Sequence, residues 1–113
     1  MSLKEKIIEH LQSDRRRKIE IPELGEVIWA NPVTVLEMEK IMNLSQVGAN
    51  SKDFHIWSII EKAEDEEGKK IFTLEDKPYL EKMEWSIITR ISNEIHKMIA
   101  FDEAKKNSQI TPS

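Results

Sequence analysis

The sequence predicts one small domain, mainly α with a small N-terminal β-hairpin (α+β), in which a compact helical body carries a long C-terminal helix. Three observations predict it. Apolar residues recur at spacings of three and four over most of the 113 residues, as helices with one buried face require. Only around Gly25 do they alternate instead, the pattern of a half-buried strand pair. The longest periodic run, Leu80 to Ile99, comes last. The length suits a single core, so residues 1–104 make one expected domain and 105–113 an expected disordered tail.

The elements follow in order. Leu3, Ile7, Ile8 and Leu11 place one apolar stripe on a first short helix, which SDRRRK interrupts. Ile19 and Ile21 alternate with Lys18 and Glu20, Val27 and Trp29 belong to the facing strand, and Glu23 to Gly25 form the turn. Thr34 and Glu37 stand at the spacing of a capping box, which predicts a helix start there. Its body carries Leu36, Met38, Ile41 and Met42 and ends before Val47-Gly48-Ala49-Asn50. In the next helix, which Ser51 or Asp53 can cap, Phe54, Ile56, Trp57, Ile59, Ile60 and Ala63 spread over much of the circumference, so it is expected to be the most buried element. The last helix carries Leu80, Met83, Ile87, Ile88, Ile91, Ile95, Met98 and Ile99, with Pro78 in its first turn. Run to residue 104, it would be roughly 40 Å long.

Composition excludes more chemistry than it suggests. Cysteine is absent, which removes disulfides, thiolate metal sites and a thiol nucleophile and suits a reducing cytoplasm. The net charge of -4 disfavours a general nucleic-acid binder. Arg15 to Lys18 form the one basic cluster, with no interleaved aromatic residues to stack on bases. The first residues are charged where a signal peptide is apolar, and the apolar runs are too short to span a membrane.

The acidic stretch Glu64 to Gly68 tests a calcium loop. With Gly68 at the sixth position, Ala63 and Leu74 fall at the first and twelfth, where neither can ligate. The stretch therefore reads as a turn between helices, with Gly68 as a helix C-cap. Ile71 and Phe72 return to the core behind it, and Thr73 opens another cap. His10, His55 and His96 have no metal-ligand spacing, no serine sits in a GxSxG turn, and no glycine loop cradles phosphate. No cofactor, metal or catalytic residue is expected. Three tryptophans and five methionines are instead the residues that adaptable protein contacts use.

The order of the segments resembles a known family. An Ile21-Pro-Glu-x-Gly25-Glu-Val-x-Trp29 strand pair, a threonine-capped helix, a buried helix and Ala63-x-Asp65-Glu-x-Gly68-x-x-x-Phe72-Thr-x-Glu75-Asp76 before a long helix are similar to tail assembly chaperones of long-tailed bacteriophages and prophages. The resemblance spans about residues 18 to 100, and Pro78 departs from it in detail. It implies a non-catalytic protein that binds the tape-measure protein and recruits tail-tube subunits in the host cytoplasm, without remaining in the virion. The contact residues expected on that reading are Tyr79, Trp85, Ile88, Ile95, Met98 and Phe101. Apolar positions on more than one helix face add an expected homo-oligomer. In many members a ribosomal slip yields a longer form, and Lys105-Lys106-Asn107 is where an adenine run would allow one. A small helical transcriptional regulator and a toxin-antitoxin module are the rival readings; the first needs a basic recognition helix, which residues 53–63 do not supply.

Overall fold

This computed structural model describes residues 1–45 and 52–110, with side chains described through residue 97. Among them are five α-helices and one antiparallel strand pair. The first helix, α1 (Leu3–Gln12), starts on a capping box. Ser2 Oγ accepts from the Glu5 amide at 3.2 Å, and the Glu5 carboxylate accepts from the Ser2 N–H at 3.3 Å. None of its residues is buried.

β1 (Arg17–Ile21) pairs with β2 (Glu26–Ala30) in a register that sets Ile19 opposite Ile28. Period-2 alternation then decides the inner face, and it is Ile28 and Ala30, not Val27 and Trp29, that join Ile19 and Ile21 in the core. The turn closes with Gly25 at φ 64°, a left-handed conformation that any Cβ would strain. The far edge of β2 is also partly paired. Trp29 and Glu64 exchange both backbone hydrogen bonds at 2.8 Å, a single-residue bridge, and Glu64 bridges onward to Lys70.

α2 (Val35–Ser45) opens on the expected box: the Glu37 amide donates to Thr34 Oγ1 at 3.1 Å and the Thr34 amide to Glu37 Oε1 at 3.0 Å. The break at residues 47–50 and the cap at Ser51 lie outside the described residues. α3 (Lys52–Lys62) buries Phe54, His55, Ile56, Ser58, Ile59, Ile60 and Lys62, more than any other element does among the described residues. It lies between α2 on one side and α5 on the other.

The acidic stretch is a turn, but Gly68 does not cap a helix. α3 ends at Lys62, and Asp65 Oδ1 accepts from the amides of Glu67 at 2.9 Å and Lys69 at 3.0 Å. The Gly68 amide donates to the Asp65 carbonyl at 3.0 Å, with Gly68 at φ 87°. A side-chain acceptor next to the helix end competes with the helical carbonyls for the amides that follow, and here the aspartate takes them. Of the two apolar residues behind the turn, Phe72 packs against the core and Ile71 stays exposed. Thr73 then boxes with Asp76, its amide donating to Asp76 Oδ2 at 2.8 Å, over a 3-10 turn at Leu74–Asp76.

The single long helix expected from residue 79 is two. α4 (Lys77–Glu81) ends where the Lys82 amide turns back to the Tyr79 carbonyl and the Met83 amide to that of Leu80, and α5 (Trp85–Ile110) begins on the Glu84 carbonyl. The spacing Leu80, Met83, Ile87 fits an unbroken helix, and no glycine or proline intervenes. Packing sets the bend, because it lets Leu80, Met83 and Ile87 all reach one core. At the other end α5 continues past residue 104 into the segment expected to be disordered; nothing before Pro112 forbids a helix there.

The core gathers Ile19, Ile21, Ile28 and Ala30 of the hairpin, Ile56, Ile59 and Ile60 of α3, Leu80, and Ile87, Ile88, Ile91 and Ile95 of α5. Each buried isoleucine contributes about 1.5–3 kcal/mol relative to exposure. One charged group is drawn in with them. Lys62, 4% exposed, ends α3 with its Nζ donating to Glu37 Oε1 at 2.7 Å, so a single carboxylate both caps α2 and neutralises the end of α3.

Candidate functional site

Where α4, the start of α5 and the hairpin turn meet, the core opens to the surface as a groove of about 210 Å³. Its floor is Ile28, Ile59, Ile88 and Ile91, and its rim includes Leu24, Phe72, Tyr79 and Met83. Leu24 is 57% and Tyr79 70% exposed, so the rim projects apolar and aromatic surface into solvent. Arg90 of α5 grips Glu23 of the hairpin turn with both guanidinium nitrogens, Nη2 donating to Oε1 at 2.6 Å. This bidentate hydrogen bonding holds the Glu23 carboxyl well below the usual range, at about 2. Leu24, the next residue, is thereby fixed at the mouth.

The expected contact residues do not lie together. Tyr79 and Ile88 line the groove, Tyr79 at the rim and Ile88, 3% exposed, beneath it. Trp85, 56% exposed, lies outside the groove with its ring edge-on to His55, centroids 5.5 Å apart. Ile95, 1% exposed, is part of the core against α3. Met98 and Phe101 fall outside the described side chains. Leu24 and Phe72, which sequence reasoning did not single out, join the groove only because the hairpin turn and residue 72 meet α4 in space.

A second feature that the sequence concealed lies between α3 and α5. His55 Nδ1 is 2.8 Å from Ser92 Oγ, and His96 Nε2 is 2.7 Å from Ser58 Oγ. Ser58 donates its one hydroxyl proton to the Phe54 carbonyl at 2.7 Å, so His96 must donate from Nε2. Phe54 stacks on the His96 ring at 4.9 Å between centroids. Both serines are fully buried and His55 nearly so, while His96 is half-buried. They are polar joints within the core. Burial pushes both imidazoles below their ordinary value, and for His96 the nearby His55 and Lys62 push the same way.

The neutral imidazoles therefore belong to the folded state, while in the unfolded chain each accepts a proton near pH 6.5. Stability is full above that pH, falls as pH drops from about 6.5 towards the lowered folded values, and levels off below them. Unfolding free energies from urea titrations should decline as pH falls from about 7 through the histidine range. Glu23, Glu37 and Glu81, with lowered pKa values, stay ionised there and do not mask the effect. An unfolding free energy constant over that range would refute this account.

Several of the basic groups are engaged. Lys52 and Lys62 of α3 pair with Glu81 and Glu37, and Arg16 donates to the Glu66 carbonyl at 2.7 Å while lying 5.3 Å from the Trp29 ring centroid. Among the described residues no cluster of His, Cys, Asp and Glu could hold a metal ion, and no helix is long and apolar enough to cross a membrane.

The arrangement defines a small, mainly helical scaffold with an apolar groove open at its surface. No family model and no curated protein matches the sequence. Among solved structures, the fold is similar to that of the tail assembly chaperone of bacteriophage HK97, with a TM-score of 0.55, 83% of this chain and 98% of that chain covered, and 10% identity.

Proposed function

We propose that the protein is a non-catalytic tail assembly chaperone of a long-tailed phage or prophage. It binds amphipathic helical segments of the tape-measure protein in the groove, recruits tail-tube subunits during assembly, self-associates, and acts in the host cytoplasm without entering the virion. The observation that carries this reading is the predominantly apolar groove on a fold similar to that of the HK97 chaperone. A helix laid into such a groove anchors through residues spaced three and four apart. Tape-measure proteins present long helical apolar surface that needs cover before the tail closes around it.

The test is co-expression with the tape-measure protein that this reading expects a neighbouring gene to encode. A soluble complex is expected with the wild-type chain. Tyr79→Asp, at an exposed rim position, is expected to reduce recovery of the complex by about tenfold or more while leaving the fold intact. Insoluble tape measure with no bound chaperone would overturn the proposal, as would a toxin gene in the neighbouring position.

A further inference from the structure

Among the described residues, nothing covers the apolar stripe of the first helix. Leu3, Ile7, Ile8 and Leu11 of α1 are each at least 46% exposed, and no residue of the helix is buried. Isolated helices shorter than about 12–15 residues are marginal in water, so a ten-residue helix with an uncovered apolar stripe calls for a surface to lie on. The chain itself offers one of the right kind. The groove beside Leu24 and Tyr79 is lined by apolar residues. A cavity of about 150 Å³ lined by Leu, Ile and Phe accepts a benzene-sized group, so 210 Å³ takes the ends of one or two aliphatic side chains. Ile7 and Leu11, one turn apart, present such a pair.

Charge says whose helix fits. Residues 1–17 carry five basic and three acidic side chains, net +2, whereas the stretches 18–27 and 74–84, which supply much of the groove's rim, carry three basic and seven acidic, net -4. Opposite fields of this kind steer docking and fix its register. The link from α1 is short and its end is pinned. Arg16 is held by the Glu66 carbonyl and the Trp29 ring, at the opposite end of the hairpin from the groove, and α1 stands clear of the groove of its own chain.

We infer that α1 of one copy docks its Leu3, Ile7, Ile8 and Leu11 face into the Leu24–Tyr79 groove of a second copy. Each copy has one α1 and one groove, so the exchange is reciprocal in a closed dimer, or it propagates in an open series if the geometry does not close. The inference deepens the self-association proposed above and uses the groove assigned to the tape measure. α1 therefore covers the groove in the free chaperone, and an incoming tape-measure helix displaces it.

The test uses the full chain without tape-measure protein, so its failure is separable from failure of tape-measure binding. Sedimentation velocity over a concentration series should show reversible self-association of the wild type. Ile7→Asp with Leu11→Asp changes α1 alone, and Leu24→Asp with Tyr79→Asp changes the rim alone; all four positions are exposed, so the domain should still fold, as circular dichroism would verify. Each double variant is expected to associate at least about tenfold more weakly than the wild type, a loss of about 1.4 kcal/mol. Mixing the two should restore association above that of either variant alone, because an intact α1 then meets an intact groove. A monomeric wild type would overturn the inference, including one whose α1 cross-links to its own groove. Association unchanged by the α1 variant, or a mixture no better than its components, would overturn it too.

Discussion

Glu37→Ala is expected to lower stability by about 3 kcal/mol, one of the largest effects of any single substitution outside the apolar core. Two losses combine. The capping box of α2 loses the acceptor for the Thr34 amide, worth about 1 kcal/mol, and Lys62 Nζ, 4% exposed with Glu37 as its ion-pair partner, is left charged and uncompensated. Breaking a buried pair from one side typically costs about 3–5 kcal/mol. The Glu37 side chain is 38% exposed, so water reaches that end of the pair and the expected total sits at the low end. Two further variants separate the terms. Glu37→Gln keeps an oxygen for both donors and should lose less than the alanine variant. Lys62→Met removes the buried charge and keeps the cap, and should cost about 1 kcal/mol or less. Urea denaturation of the three variants measures the ordering; equal losses in all three would mean that the pair contributes nothing beyond packing.

This joint marks a boundary in what the sequence reveals. The capping box could be read from Thr34 and Glu37 because it is local, its two members three residues apart. That the same carboxylate meets Lys62 could not, because the contact depends on α2 and α3 packing side by side. The elements obeyed the same division. α1, the strand pair, the start of α2 and the buried character of α3 follow from periodicity and turn chemistry, which act over a few residues. The break at Lys82–Glu84 is invisible to periodicity, since the apolar spacing continues across it, and only tertiary packing bends the chain there. Gly68 shows the converse. A glycine after a helix is a common cap, but Asp65, three residues earlier, captured the amides first.

The groove was legible in part. Tyr79 is expected as a contact residue on the resemblance alone, and the structure places it at the rim of the groove. Leu24 and Phe72 sit in stretches that read as a hairpin turn and a return to the core, and no local signal joins them. His55 and His96 gave no signal either, being far apart in sequence. Their serine partners lie on the facing helix, and only the α3–α5 packing pairs them.

Ile95→Ala is expected to cost about 3 kcal/mol of stability, within the roughly 2–5 kcal/mol range for truncating a buried isoleucine. At 1% exposed, Ile95 is among the most enclosed large side chains described, in the same core cluster as Ile56 and Ile59 of α3. The removed atoms leave a cavity in a core cluster rich in isoleucine, and close-packed surroundings relax only in part. The sequence put Ile95 among the contact residues because its position on a long apolar helix is the same for a core residue and a docking residue; periodicity reports that a face is buried, not what buries it. Tyr79→Ala is the contrasting case. With 70% of its surface in solvent it should change stability by no more than about 0.5 kcal/mol, yet remove a large part of the rim on which the proposed partner helix would lie. The pair of variants thus separates fold from function. Ile95→Ala at a temperature where it remains folded should still capture a partner helix, whereas Tyr79→Ala should lose capture while keeping wild-type stability. If Ile95→Ala proved as stable as the wild type and lost binding, α5 would have to turn that face outward when its partner arrives, and the core between α3 and α5 would be the docking surface itself.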